Sequence, residues 1–185
     1  MFFNHEEGMS MKLIEKQIDR KLVYDATFIQ VYEDDVMLPN DKLAKRVVVD
    51  HVGAAAIVPL TKHQEVILVR QYRYAIQSES LEIPAGKKDF KEEDGLACAV
   101  RELEEETGYR AGKIEKLSDM YTAIGFSNEL IELFVGYDCQ VVQGSKLSDP
   151  DEFVKVVVMP LKEAKKLVEE GVIKDAKKVI ALNAL

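Results

Sequence analysis

The chain predicts an α+β sandwich with an antiparallel strand unit at its N-terminal end. Three observations carry that reading. Short runs rich in Val, Ile, Tyr, Phe and Thr, broken by turn residues, occupy most of the first half. The apolar period then changes once to a helical one, between Asp94 and Thr107. Strand-like runs return after it, and a second helical pattern begins only near Leu161. Strands on both sides of one central helix differ from the regular strand–helix alternation of a parallel sheet.

Residues 1–20 read as a loose tail, and residues 21–185 as a single domain. Residues 21–36 favour a strand, Pro39-Asn40-Asp41 is a turn signal, and residues 43–52 return as a second strand. Residues 54–60 are an apolar run that suits a buried strand, followed after a polar turn by another over residues 65–72. Leu81-Glu82-Ile83-Pro84 is a short strand stopped by Pro84 and Gly86. On the helix, Leu96, Ala99, Val100, Leu103 and the Thr107 methyl share one face, with Asp94 as N-cap and Gly108 as C-cap. Residues 113–122, 130–142 and 153–159 read as strands, residues 161–170 as an amphipathic helix ending at Gly171, and residues 175–184 as another helix.

The chain has 185 residues, 47% of them hydrophobic and 31% charged, the composition of a globular domain able to bury a core without staples. A net charge of -8 with no basic face argues against a nucleic-acid partner. No apolar run reaches the length of a membrane span, and the first residues lack the basic and apolar regions of a secretory leader. Cys98 and Cys139 are far apart and show no metal-ligand spacing, which fits a reducing, cytoplasmic setting.

The informative segment is Arg101-Glu102-Leu103-Glu104-Glu105-Glu106-Thr107-Gly108. At 100° per residue Glu102 and Glu106 stack on one face and Glu105 flanks them. Like charges at that spacing weaken an isolated helix. A hard divalent cation with oxygen ligands would compensate, and a solvated acidic face is the bland alternative.

In its wider context the segment resembles the Nudix box, a loop–helix–loop motif that opens on Gly and ends in Arg-Glu-aliphatic-x-Glu-Glu-x-Gly-aliphatic. Arg101, Glu102, Leu103, Glu105, Glu106 and Gly108 match it one by one, Tyr109 stands in the last apolar slot, and Gly86 is the opening glycine. The spacing departs from the pattern by one residue: counting forward from Gly86 selects Glu92, and counting back from Arg101 selects Glu93. Arg70-Gln71-Tyr72-Arg73, Leu81-Glu82-Ile83-Pro84-Ala85-Gly86 and the acidic loop Ser148-Asp149-Pro150-Asp151-Glu152 are similar to the ADP-ribose pyrophosphatase branch of that superfamily. That branch usually carries Pro-Gly where this chain has Ile124-Gly125.

The resemblance implies a Nudix α/β/α sandwich whose strands over about residues 21–52 join a homodimer. It also implies hydrolysis of the diphosphate of ADP-ribose or a related nucleoside diphosphate sugar, with Mg²⁺, or Mn²⁺, as cofactor. Glu102, Glu106 and the Ala85 carbonyl would hold metal, Glu105 would ligate a second ion or orient the water, and Arg101 would fix the glutamates. The general base would come from Asp149, Asp151 or Glu152, with Glu152 preferred. Arg70 and Arg73 are candidates for the diphosphate. Glu129 and Phe126, in Gly125-Phe126-Ser127-Asn128-Glu129, are candidates for the nucleoside. Phe28, Tyr32 and Tyr72 could stack on a base or serve as core and interface. A GDP- or UDP-sugar diphosphatase and a non-catalytic Nudix ligand sensor are the alternative functions.

Overall fold

A computed structural model describes residues 13–142 and 153–185. Strand β4 (Ala54–Pro59) sets the layering, because every one of its residues is buried. Successive side chains of a strand point to opposite faces, so both faces of β4 need cover. Ala54, Ala56 and Val58 join one apolar cluster, and Ala55 and Ile57 join another.

The first cluster takes in Val66 and Leu68 of β5 (Glu65–Arg73), and Leu133 and Val135 of β10 (Leu130–Tyr137). It is closed by Ala164 of α2 (Leu161–Glu169) and by Ala181 and Leu182 of α3 (Ala176–Asn183). The second cluster takes in Ile67, Phe134 and the face of α1 (Gly95–Thr107) that carries Cys98, Ala99 and Leu103. Strands therefore lie between α1 on one side and α2 with α3 on the other, the α/β/α sandwich expected.

One sheet runs β7 (Ala85–Lys87), β4, β10, β9 (Lys113–Tyr121). Its central β4–β10 pair is parallel and its outer pairs are antiparallel. A second, antiparallel sheet runs β12 (Lys155–Pro160), β5, β6 (Ser78–Glu82). The short strands β8 (Tyr109–Arg110) and β11 (Gln140–Val141) pair with each other. Residues 130–142 thus form two strands rather than one, because Asp138 adopts a left-handed φ of 53° that breaks the run.

The N-terminal unit has three strands, not two: β1 (Lys16–Asp25), β2 (Ile29–Met37) and β3 (Leu43–His51), paired antiparallel in that order. The run expected as one strand over residues 21–36 turns between Asp25 and Ile29, where the Ala26 N–H donates to the Ile29 carbonyl at 3.0 Å. β1 begins inside the stretch expected as a tail, and all ten of its residues are exposed. β3 is docked on the loop that follows β9: the Val49 N–H donates to Phe126 O at 2.7 Å, and the His51 N–H to Asn128 Oδ1 at 2.8 Å.

Both caps of α1 are as expected. The Asp94 carboxylate accepts the Ala97 N–H at 3.0 Å, and Gly108 ends the helix at φ 69°. Its buried face is rotated from the one expected. Ala99, Leu103 and Thr107 are buried, but Leu96 is 42% exposed, and Cys98 and Glu106 are buried instead. No helix among the described residues is long and apolar enough to cross a membrane. Leu133 is wholly buried between β4 and β9, so Leu133→Ala is expected to cost about 2–5 kcal/mol in urea unfolding.

Candidate active site

The rotation of α1 brings its carboxylate edge down onto β7. Glycine at position 86 permits this contact: a Cβ there would stand 2.0 Å from Glu102 Oε1. One turn on, Glu106 is 5% exposed, and its Oε2 accepts the Ala85 N–H at 3.1 Å. Arg101 ties the edge together, donating to Glu102 Oε1 at 2.7 Å, to Glu105 Oε2 at 3.3 Å and to the Lys87 carbonyl at 3.3 Å. Burial works against its charge, but Glu102 and its neighbours raise the guanidinium pKa above the ordinary arginine value.

Arg101 also decides between Glu92 and Glu93. The Glu93 carboxylate lies 3.6 Å from Arg101 Nη2 and accepts the Asp89 N–H at 2.7 Å, while Glu92 points to solvent. The extra residue is absorbed between β7 and Glu93, and the count back from Arg101 is the structural one. Glu105 is more exposed than Glu102, at 53% of its side chain against 13%. Cys98 is a packed thiol. Burial pushes its pKa up to about 11, which keeps it protonated.

Glu102 and Glu106 line a cleft of about 390 Å³ together with Ala85, Arg73, Gln71, Glu129, His51, Phe28 and Lys177. The same cleft also carries cations. Arg73 grips Glu82 through two hydrogen bonds of 2.9 and 3.0 Å, and Lys178 Nζ, 1% exposed, lies 3.4 Å from the same carboxylate. Lys177 Nζ stands 3.8 Å from it and 3.0 Å from Asp175. Burial alone would raise the Glu82 pKa, but the Arg73 hydrogen bonds and the charges of Lys178, Arg73 and Lys177 bring it down to about 2. Burial lowers the Lys178 pKa against the pull of Glu82 and Asp175, so Arg73 and Lys177, which line the cleft, carry its positive charge. A second cavity of about 640 Å³ adjoins the cleft across Phe28 and His51, which line both.

Two expected substrate residues are not in the cleft. Arg70 and Arg73 are three apart on β5 and so point to opposite faces; Arg70 sits with Tyr72, Glu79 and Phe153. Phe126 is 56% exposed, and it is its backbone carbonyl that holds β3. Tyr32 lies in the N-terminal sheet with the Arg20 guanidinium 4.5 Å above its ring. Glu152, Asp149 and Asp151 fall outside the described residues. His51, Gln71, Glu82, Lys177 and Lys178 belong to the site or its wall and were not expected. Lys177 and Lys178 did carry a signal: cations in the first turn of α3 oppose the helix dipole and need a local partner.

A helix edge of carboxylates seated on a glycine strand, tied by one arginine inside an α/β/α sandwich, defines the Nudix class of fold. The family model for the NUDIX domain matches residues 50–182, and the chain belongs to that family. It is 40% identical over 173 residues to an ADP-ribose pyrophosphatase of Bacillus subtilis (strain 168), covering 94% of this chain and 93% of that one. It is 36% identical over 149 residues to a GDP-mannose pyrophosphatase of Cronobacter sakazakii (strain ATCC BAA-894), covering 76% and 77%. A crystal structure of an ADP compounds hydrolase shares the fold, with a TM-score of 0.78 at 23% identity over 92% of this chain and 91% of that one.

Nudix hydrolases generally need a divalent metal. Among the described residues no three His, Cys, Asp or Glu side chains form a ready-made metal cage. The donors on the cleft floor still suit a hard cation, since Mg²⁺ takes one or two carboxylates and completes its shell from water and phosphate oxygens. The space at Gly86 is filled by one of those carboxylates.

Gly86→Ala places its methyl against the mobile end of Glu102, so the fold is expected to survive while Glu102 swings away. Thermal melting should move little and turnover should fall at least about tenfold; unchanged turnover would show that the seat of Glu102 is immaterial. Glu82 titrates at about 2 in the folded chain against an ordinary 4.5. Its contribution to stability is therefore full above about pH 4.5 and lost as pH falls towards 2. Glu82→Gln is expected to flatten the acid limb of the urea midpoint against pH in that window.

Proposed function

We propose that the protein hydrolyses the diphosphate linkage of a nucleoside diphosphate sugar, ADP-ribose foremost, to a nucleoside monophosphate and a sugar phosphate. Mg²⁺ is the cofactor in this reading, and Mn²⁺ can replace it. The observation that carries it is one cleft that brings the carboxylates Glu102 and Glu106 together with the cations Arg73 and Lys177, the two kinds of group a metal-bound diphosphate needs. The 40% identity to an ADP-ribose pyrophosphatase supports the choice of substrate. The GDP-mannose pyrophosphatase similarity favours a GDP-sugar as the second reading.

Glu102, Glu106 and the Ala85 carbonyl would hold the metal, with Glu105 at the outer edge able to share a second ion. A bound divalent cation supplies Lewis-acid stabilisation of charge on the phosphate oxygens. Arg101 keeps the carboxylates in register and does not itself line the cleft. Arg73 and Lys177, which line the same cleft, neutralise the diphosphate. Glu129 accepts from a sugar hydroxyl. The general base is assigned to Glu152.

The exposed apolar residues Ile18, Leu22, Val23 and Tyr24 of β1 support a homodimer formed through the N-terminal sheet. Two free, buried cysteines support a reducing, cytoplasmic setting.

Release of nucleoside monophosphate from ADP-ribose, GDP-mannose and UDP-sugars, with Mg²⁺ or with EDTA, tests the reading. Glu106→Gln is expected to lower kcat by at least about 100-fold while the melting temperature holds. Near wild-type turnover in that variant would remove the metal role of Glu106. Tight binding without turnover by the native chain would make it a ligand sensor.

A further inference from the structure

His51 stands at the end of β3, its side chain 11% exposed, on the partition between the cleft and the adjoining cavity. Its Nδ1 accepts the Gly53 N–H at 2.9 Å. A neutral ring that accepts at Nδ1 carries its hydrogen on Nε2. No acceptor among the described residues lies within hydrogen-bond distance of Nε2; Glu129 Oε1 stands 3.8 Å away. The other Glu129 oxygen accepts the Thr122 hydroxyl at 2.5 Å, which fixes the carboxylate. Phe28 meets the imidazole edge-to-face, with centroids 5.9 Å apart and planes at 77°, which fixes the ring.

An N–H donor and a carboxylate acceptor, both held and slightly too far apart to satisfy each other, complement a vicinal diol. One hydroxyl oxygen can accept from the ring while its neighbour donates to the carboxylate. We propose that His51 is a substrate-contacting residue: its Nε2–H and Glu129 together bind the ribose diol on the nucleoside side of the diphosphate. The diphosphate then lies over Glu102 and Glu106, and the base enters the 640 Å³ cavity past Phe28. This rests on the nucleoside diphosphate sugar reading.

Two isosteric halves of histidine separate contact from scaffolding. His51→Asn keeps an acceptor near the Nδ1 position for Gly53 and removes the Nε2 donor. His51→Gln places an amide N–H near Nε2 and loses the Gly53 bond. Calorimetric Kd for ADP-ribose in EDTA and steady-state kinetics with Mg²⁺ are measured for both variants. The same is done with an analogue whose adenosine ribose lacks its 2′- and 3′-hydroxyls.

The expected result is a rise of about tenfold in Kd and KM for His51→Asn, the size of one hydrogen bond, largely restored in His51→Gln. On the dideoxy analogue the native chain should lose affinity and the His51→Asn penalty should vanish. A harmless His51→Asn beside a damaged His51→Gln would make the residue a backbone prop and overturn the proposal. So would a penalty that persists on the dideoxy analogue. Binding without turnover by the native chain overturns the hydrolase reading, yet leaves His51 to be decided by the Kd comparison. No binding at all removes both.

Discussion

The seating of the Glu102 carboxylate on the backbone of Gly86 is the contact on which the rest of the site depends. A helix with Glu102, Glu105 and Glu106 along one edge is self-repelling in isolation. Here that edge is pressed against a strand with no side chain in the way; the Ala85 N–H answers Glu106, and Arg101 answers Glu102 and Glu105. The contact sets the roll of α1 about its axis. Leu96 is thereby turned out to solvent, Cys98 is turned in, and Arg101 lies where it can reach Glu93 across the inserted loop.

The cations of the cleft follow a different logic. Glu82 is buried, yet it remains ionised because three cations surround it. It holds Arg73 and Lys177 in place within the cleft that Glu102 and Glu106 also line. Removing one partner of such a cluster would leave an uncompensated buried charge, which is far more damaging than losing a surface ion pair. The cleft is thus polarised by the fold before any ligand enters.

Much of this was legible in the sequence, and the reasons differ from place to place. The shared face of Glu102 and Glu106 was readable from helical periodicity, and Gly86 from the resemblance to the Nudix box, despite the one-residue departure in spacing. The layering was readable from the continuous apolar runs of β4 and β5, which only a doubly covered strand can carry. Arg70 stands apart from Arg73 because spacing along a strand decides the face, an alternation that the short basic segment hides. The split of residues 21–36 was missed because β-branched and aromatic residues continue on both sides of the turn. Glu82 and His51 could not be read at all, since their roles come from partners that are distant in the chain; Lys178 offered only the mismatch of a cation at a helix start.

The parallel pairing of β4 with β10 has a consequence for how the molecule comes into being. Those strands are joined by a long connection that contains β7 and α1, the two halves of the carboxylate seat. Closing so large a loop is entropically slow, whereas β1, β2 and β3 meet through short turns. The N-terminal sheet therefore belongs to the early, local part of folding. The cleft belongs to the late part, and a chain still growing from the ribosome presents its exposed β1 strand before it possesses a site.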